Sequence, residues 1–492
     1  MLDIQKRLTN TFYVILSLPA TAMGFALSVQ ISALSWILST QYHLEIEDIG
    51  LVWAAGPIAG ILGQVIIGAI SDNVWFLNGR RRPFILIGGV LAALMLLALP
   101  NIQVITGALG LEAILGMAII VALTLDLAIN VSFNPTRSII ADVTPEGKER
   151  TKGYTWMQTI SGTFGVLAYA VGAVWDNYVL IYSGAILVLL LSIIPPFFIE
   201  EPRELSVGNS DEEEDGAAKK PGFSLKETFM AIRPLWGFLL YAIYGIALRL
   251  SGISPKTHYF ELFCLALTLY LIVHTLLKSE TGRKRSEAGM IGFQKVLAAH
   301  SFTWIGIQTM FIYMFAYVNY RLPELEDVNM GRVVSISFLI LNAVGAILPA
   351  TILEPLAFRL GRVKVHMGCI AIMALGYAGI LFLGHSAMMI YIMMAVLGIG
   401  WAATVSLPFA IMSQKVDQSK MGLYMGLFNL SVVLPQLVAS LGVGQIIGRM
   451  EDKSITFVVC ALTLAVSAVS WMLVKEEQTG TEAQITPGGG GH

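Results

Sequence analysis

The chain has 492 residues, of which 56% are hydrophobic and 13% are charged, and its mean hydropathy is +0.72. Soluble domains carry about 25% charged residues, so the composition excludes a soluble globular protein, and the net charge of −2 gives no basis for binding nucleic acid. The three cysteines, Cys264, Cys369 and Cys460, lie in apolar stretches, which excludes a disulfide framework.

Apolar stretches of about 20 residues, the length of a helix that crosses a bilayer, recur along the chain and predict an all-α membrane protein. The first stretch is too long for the apolar core of a signal peptide and has no small-residue cleavage site, so we interpret it as the first span. In chain order, the sequence predicts fourteen transmembrane helices, at residues 11–38, 49–70, 84–100, 109–141, 152–175, 178–199, 235–250, 258–278, 296–321, 330–353, 364–384, 387–414, 421–446 and 454–474.

Lys and Arg residues indicate the orientation of these spans. If the N-terminus is cytoplasmic, most of the 31 Lys and Arg residues fall in cytoplasmic segments, as the positive-inside rule requires. The sequence therefore predicts a multi-pass protein of the inner or plasma membrane with both termini in the cytoplasm.

A charged pattern after the second span recurs later in the chain. In both copies an acid precedes a glycine by seven residues and basic residues follow the glycine, in residues 72–82 and again in residues 354–364. The repeat predicts two six-helix halves related by an axis along the membrane normal. The polar residues 209–220 between the halves have too few apolar side chains to offset the entropy cost of ordering, so we expect a solvated linker there.

Two additional spans lie between the halves and are interpreted as a transmembrane hairpin. A re-entrant pair is the alternative, because the first of the two spans is short. The predicted organisation is an N-terminal six-helix bundle at 1–200, a cytoplasmic linker at 201–233, an inserted transmembrane hairpin at 234–280, a C-terminal six-helix bundle at 281–475 and a disordered tail at 476–492.

The repeated loop, an acid followed by Gly-Arg-Arg in its first copy, resembles the major facilitator superfamily. The resemblance implies a cytoplasmic gate, in which the arginines bridge to acids at the cytoplasmic ends of other helices and the bridges break when the halves rock. Exposed ion pairs stabilise a protein little, which suits a latch that must open. The residues predicted to form this gate are Asp72, Gly79, Arg80, Arg81, Arg82, Asp142, Glu354, Gly361 and Arg362.

The fourth span carries charges that topology does not explain. Asp126 lies at its middle, and Arg137 lies eleven residues later on the same face of the helix, about 16 Å further along the axis. Charges inside a span are costly and therefore suggest function. Burial disfavours the charged form of a carboxyl group and a nearby cation favours it, so Asp126 could load a proton on one side of the membrane and release it on the other. The alternative is a structural acid bonded to hydroxyls, with Arg137 reaching the inner interface.

Five stretches resemble one family in particular. They are LDLAINVSFNPTRSIIADV in the fourth span, GRRRPFI after the second, SFTWIGIQ in the first span of the second half, and GIGWAATVSLPFAIMS and GLYMGLFNLSVVLPQ in later spans. They are similar to the sucrose/proton branch of the glycoside–pentoside–hexuronide cation symporters. The resemblance implies that Asp126 couples protons and contacts substrate and that Arg137 supports it. The inserted hairpin departs from the family, as does Phe133-Asn134, where plant members have Gln-Gly.

A sugar site needs amide groups that bind hydroxyls and flat apolar faces. The core spans are predicted to supply both, as buried amide side chains with aromatic rings near them. The alternatives are hydrogen bonds between helices for the amides and packing for the aromatic rings. Glu261 and His274 in the hairpin are expected to contact lipid or its headgroups. The residues predicted to bind substrate are Asp126, Asn130, Gln30, Gln158, Trp304, Gln308, Asn342, Trp401, Asn429 and Gln436.

No Walker A motif occurs in the chain, so transport is expected to be secondary and not driven by ATP. The predicted function is proton-coupled symport of a disaccharide or other glucoside of the sucrose or maltose type. A sodium-coupled sugar symporter and a non-transporting sugar sensor are the alternatives. The expected partners are a sugar, a proton and membrane lipids. No enzymatic activity, cofactor or metal is predicted, and the protein is expected to be a monomer.

Overall fold

The computed structural model describes residues 3–60, 74–111, 113–145, 148–203, 225–251, 257–416 and 421–476. These residues form helices and no β-strands, which confirms the all-α prediction. The helices before residue 204 are α1 (Asp3–Lys6), α2 (Asn10–Thr40), α3 (Ile46–Trp53), α4 (Arg82–Ala98), α5 (Ile102–Ala108), α6 (Ile114–Val143), α7 (Lys148–Val174) and α8 (Asn177–Ile193).

The remaining helices form the hairpin region and a second group. A short helix, α9 (Leu225–Ala231), precedes the hairpin, which consists of α10 (Trp236–Ser251) and α11 (Tyr259–Leu276). The second group consists of α12 (Arg285–Arg321), α13 (Asp327–Leu348), α14 (Glu354–Leu360), α15 (Arg362–Leu383), α16 (Ala387–Ser413), α17 (Met421–Val438), α18 (Gly444–Arg449) and α19 (Ile455–Trp471).

Eleven helices in the described part of the chain are long and apolar enough to cross a membrane. Three of the fourteen predicted spans are not among them. The span predicted at 49–70 extends beyond the described residues, and α10 and α19 have only 16 and 17 residues. The count of fourteen therefore stays a prediction.

Helix α12 has 37 residues and begins well before the span predicted at 296–321. Its first turns are polar, and hydropathy alone suggests a loop there. In the structure Lys295 is buried and its Nζ lies 2.9 Å from a carboxylate oxygen of Glu280, while the side chain of Gln294 donates to the carbonyl of Met230 at 2.8 Å. Since these partners satisfy the polar groups, the helix continues beyond the apolar stretch.

The two helix groups are joined at the end where α2 finishes and where α8 and α13 begin. The hydroxyls of Ser32 and Ser335 lie 2.7 Å apart, and Ser335 also donates to Asn177 Oδ1 at 3.0 Å. The indole of Trp36 donates to the carbonyl of Asp327 at 2.8 Å. These contacts between α2, α8 and α13 are neutral hydrogen bonds, so this closure does not depend on ion pairs.

Candidate functional site

Asp126 lies near the middle of α6 with 5% of its surface exposed. Gln30 on α2 donates a hydrogen bond from Nε2 to Asp126 Oδ2 at 3.0 Å. Gly56 packs against the carboxylate, since a Cβ there would lie 3.4 Å from Oδ2, at ordinary van der Waals distance. None of the ion pairs formed by the described residues includes Asp126, so an amide, and no cation, holds this buried acid. Asn130 donates to the backbone carbonyl of Asp126 at 2.8 Å.

Arg137 lies on the same helix but does not pair with Asp126. Its guanidinium lies 4.3 Å from the ring centroid of Phe133, one turn earlier, and the residue is exposed. Helix α6 continues through Pro135, so the axial separation of about 16 Å expected for a regular helix applies. Any support that Arg137 gives Asp126 in this conformation is therefore long-range.

Five of the predicted sugar-binding side chains form two sets of contacts on the second helix group, one pair and one set of three. Gln436 on α17 donates to Gln308 Oε1 on α12 at 3.2 Å. Trp401 on α16 donates to Asn342 Oδ1 on α13 at 3.2 Å. The rings of Trp304 and Trp401 meet edge to face, with centroids 6.3 Å apart. Each amide thus has a partner from another helix. Gln308 and Gln436 keep further polar atoms for a ligand, whereas Asn342 also donates from Nδ2 to the carbonyl of Phe338 at 2.9 Å.

Gln158 was predicted to be buried, and this is wrong, because it is exposed on α7. The exposed face of α7 that carries it also carries Thr155, Thr159 and Thr163, which follow helical spacing. Lipid does not favour a stripe of amide and hydroxyl groups, so this face is suited to an aqueous space. Asn429, also predicted to bind substrate, is half-buried on α17.

A buried histidine orients one of these tryptophans, a feature that sequence reasoning missed. The indole of Trp304 donates to His300 Nε2 at 2.9 Å, and the imidazole of His300 stacks on Phe428 with centroids 4.9 Å apart. A second buried histidine, His366, packs edge-on against Trp471 at 4.4 Å. The one available sequence clue was a histidine inside an apolar span, four residues before Trp304.

The first basic loop is held by a carboxylate that the sequence analysis did not single out. Glu201 accepts hydrogen bonds from the backbone N–H groups of Arg80, Arg81 and Arg82, at 2.8, 2.7 and 2.8 Å. The loop approaches so closely that a Cβ at Gly79 would lie 2.5 Å from Glu201 Oε1. The glycine of the repeat is therefore required for this contact.

The second loop repeats the arrangement. Glu476 accepts from the backbone N–H groups of Arg362 and Val363 at 2.9 and 2.8 Å. Gly361 has a φ of 94°, and a Cβ there would lie 2.7 Å from Glu476. Glu354 is exposed at the start of α14. In both copies an acid that follows the last helix of its group holds the start of a helix, where free N–H groups favour negative charge.

One predicted arginine–acid contact of the gate is formed. Arg81 Nε lies 3.0 Å from Asp142 Oδ2, and their side chains are 7% and 10% exposed. The sequence predicts exposed pairs, whereas the loop folds back onto the end of α6 and buries this one. Both residues belong to the first helix group, so the pair does not join the two groups. Asp72 lies outside the described residues.

Comparisons with known proteins identify the family of the chain. A family model described as Major Facilitator Superfamily matches residues 16–440. The sucrose transport protein SUC4 of Arabidopsis thaliana is 24% identical over 452 residues, which cover 84% of this chain and 80% of that protein. A general alpha-glucoside permease of Schizosaccharomyces pombe is 29% identical over 174 residues, which cover 32% of this chain and 31% of that protein.

Solved structures share the fold at low identity. The nucleoside transporter NupG has a TM-score of 0.63 at 12% identity, over 94% of this chain and all of that one. An inward open structure of the xylose transporter XylE from E. coli has a TM-score of 0.56 at 16% identity, over 96% of this chain and 97% of that one. These likenesses show a common helical architecture.

Proposed function

The chain belongs to the Major Facilitator Superfamily, and from this premise we propose that it is a proton-coupled symporter of a disaccharide or other glucoside, of the sucrose or maltose type. The superfamily match and the transporters among its relatives make it a membrane transporter and not an enzyme. The names of the sucrose transport protein and the alpha-glucoside permease support a sugar as substrate.

The observation that carries proton coupling is Asp126, a buried acid that an amide holds and that no cation pairs with in the part of the chain that the structure describes. An amide N–H can donate to a carboxylate and also to the carbonyl oxygen of a protonated carboxyl group. Gln30 can therefore hold the side chain in both protonation states. In this mechanism Asp126 takes up a proton while the site faces outside and releases it after the site has turned to the cytoplasm.

Alternating access accounts for two features: the bundles are joined on one side of the site, and a polar face of α7 lies on the other side. The two bundles, residues 1–200 and 281–475, rock against each other around the site. With the N-terminus in the cytoplasm, the closure through Ser32 and Ser335 lies on the outer side, and the polar face of α7 opens towards the inner side. The structure then corresponds to an inward-facing state. The two carboxylate-held loops move with their own bundles as rigid parts of the inner gate.

The sugar lies between Asp126 on the first bundle and the amides and tryptophans of the second. Its hydroxyls bind Gln308, Gln436 and Asn342, and an apolar face of a pyranose ring packs on Trp304 or Trp401. These contacts drive the conformational change only if the sugar binds the outward-facing and inward-facing states with different affinities. The other predicted substrate-binding residues, Asn130, Gln158 and Asn429, face the same pathway in this mechanism.

Uptake by proteoliposomes tests the function. We expect a panel of glucosides to include at least one sugar that accumulates when the outer medium is acidic and does not accumulate without a pH gradient. Accumulation driven equally well by a sodium gradient at constant pH would favour sodium coupling. Binding without any uptake, in liposomes where the protein is inserted and folded, would favour a sensor.

A further inference from the structure

A crevice with a volume of about 480 Å³ lies between the hairpin and the end of the second helix group formed by α17 and α18. This volume is typical of sites for small ligands. Its walls are largely apolar and include Phe238 and Tyr241 of α10, Leu265 of α11 and Ile446 of α18. The proposed transport mechanism uses neither the crevice nor the hairpin.

One charged residue in this crevice is Glu261, whose carboxylate has an oxygen without a hydrogen-bond donor among the described residues. Glu261 Oε1 lies 3.2 Å from His258 Nδ1 and 3.5 Å from the hydroxyl of Tyr244. Its other oxygen, Oε2, is buried and has no hydrogen-bond partner among the described residues. A buried carboxylate oxygen without a donor is costly, so this oxygen is suited to a donor that is not part of the protein.

The other charge is Arg449, the last residue of α18, which is exposed and lines the same crevice. It is not needed to cap its helix, because Lys453 Nζ donates to the terminal carbonyls of Ile447, Gly448 and Met450. Within the described residues, no carboxylate lies within 4.0 Å of its guanidinium. Arg449 and Glu261 therefore share one crevice without pairing with each other.

Two opposite charges that face one apolar crevice match a ligand that carries both charges and an apolar chain. We propose that the crevice binds a zwitterionic phospholipid with a primary ammonium group, that is, phosphatidylethanolamine. Its phosphate accepts hydrogen bonds from Arg449, whose planar guanidinium suits phosphate. Its ammonium donates to Glu261 Oε2. Phosphatidylcholine has no N–H to donate, and phosphatidylglycerol has no cation.

The path of an acyl chain follows α11. Beyond the crevice, the next turns of α11 line a second groove against α19, with a volume of about 410 Å³. Leu269 and Val273 of α11 and Val466 and Val469 of α19 form its walls. A lipid chain that starts at the headgroup site can continue along these apolar side chains, and so fills the gap between the hairpin and the second helix group.

Titration of the purified full chain with short-chain lipids, followed by native mass spectrometry, tests the proposal. Wild-type protein is expected to bind phosphatidylethanolamine more tightly than phosphatidylcholine or phosphatidylglycerol. Because a hydrogen bond to a charged group contributes about tenfold or more to affinity, Glu261→Gln should weaken phosphatidylethanolamine about tenfold and leave phosphatidylglycerol unchanged. Arg449→Gln should weaken both lipids about tenfold.

The matched control is Arg359→Gln, which removes an exposed arginine of α14 outside the crevice and should change neither affinity. Equal affinity of wild type and both crevice variants for phosphatidylethanolamine would overturn the proposal. So would loss of phosphatidylethanolamine binding in Arg449→Gln but not in Glu261→Gln, since a site for phosphate alone would give that result. If either variant does not fold, Glu261→Asp and Arg449→Lys replace it in the same titration.

Discussion

Gln30 and Asp126 join α2 and α6 through a hydrogen bond of 3.0 Å, buried in the first helix group. Among the described residues the acid has no basic partner that would neutralise its charge. Groups that change their protonation state during transport are usually buried acids of this kind.

Asp126→Asn is expected to abolish sugar accumulation driven by a pH gradient, because an amide cannot carry the proton. The side chain has nearly the same shape, so the protein should still fold. Uptake in proteoliposomes measures the effect, and it should fall to the level of protein-free liposomes. Asp176→Asn is the matched control, since Asp176 caps α8 and Asn is an equally good cap. Accumulation that survives Asp126→Asn would show that another group couples the proton.

Gln30→Leu is expected to lower the free energy of unfolding by about 1–3 kcal/mol, because it leaves the buried carboxylate without its donor. Thermal unfolding in detergent measures this change. Gln158→Leu replaces an exposed amide and should change stability by less than about 0.5 kcal/mol. Equal effects of the two substitutions would mean that the Gln30–Asp126 hydrogen bond does not stabilise the structure.

The outer closure gives a prediction about conformation. A Cβ at Gly331 would lie 2.7 Å from Asn177 Nδ2 and 2.9 Å from Trp36 Nε1, so Gly331→Ala should prevent α2, α8 and α13 from packing as they do here. We expect the outward-facing population to rise. A cysteine introduced at the buried Ser28 should then react faster with a membrane-impermeant maleimide. Gly368→Ala, which meets nothing within 4 Å, should not change the labelling rate.

The carboxylate of Glu201, which accepts hydrogen bonds from the loop at Arg80–Arg82, should contribute to the free energy of unfolding. Glu201→Ala leaves three backbone N–H groups without their acceptor, and we expect a loss of about 2–4 kcal/mol. Glu200→Ala, at the neighbouring position, removes a carboxylate whose contacts are exposed to solvent, so it should change stability much less than Glu201→Ala. Chemical unfolding of both variants measures the difference. If Glu201→Ala is as stable as Glu200→Ala, water replaces the carboxylate at the loop.

The sequence predicted the helical architecture and the isolated acid for clear physical reasons. A bilayer requires long apolar stretches, and a charge such as Asp126 is conspicuous inside one. The partners of such residues could not be predicted, because they depend on packing between distant segments. Gln30 is 96 residues away from Asp126, and Glu201 is 121 residues away from Arg80. The polar start of α12 was missed since hydropathy does not report the burial of Lys295 by an ion pair.

The last prediction concerns His300, whose Nε2 accepts the indole N–H of Trp304. The form of the imidazole that accepts this bond is neutral, with its proton on Nδ1. His300→Phe keeps an aromatic ring against Phe428 but removes the acceptor, so the indole of Trp304 loses the bond that orients it in the proposed sugar site. We expect the KM for sugar uptake to rise about tenfold, with little change in the maximal rate.

Two comparisons separate this positioning role from a general effect on packing. His300→Gln restores an acceptor oxygen and should recover most of the affinity. In a protein that already carries Trp304→Phe, His300→Phe should not raise the KM further. His366→Phe is the matched control, because His366 is equally buried and also packs on Trp471, whereas the hydrogen bond from Trp304 goes to His300. A KM that rises equally in the two histidine variants would contradict the role of His300, since loss of packing alone would then explain both. An unchanged KM in His300→Phe would show that Trp304 is held by its neighbours without the histidine.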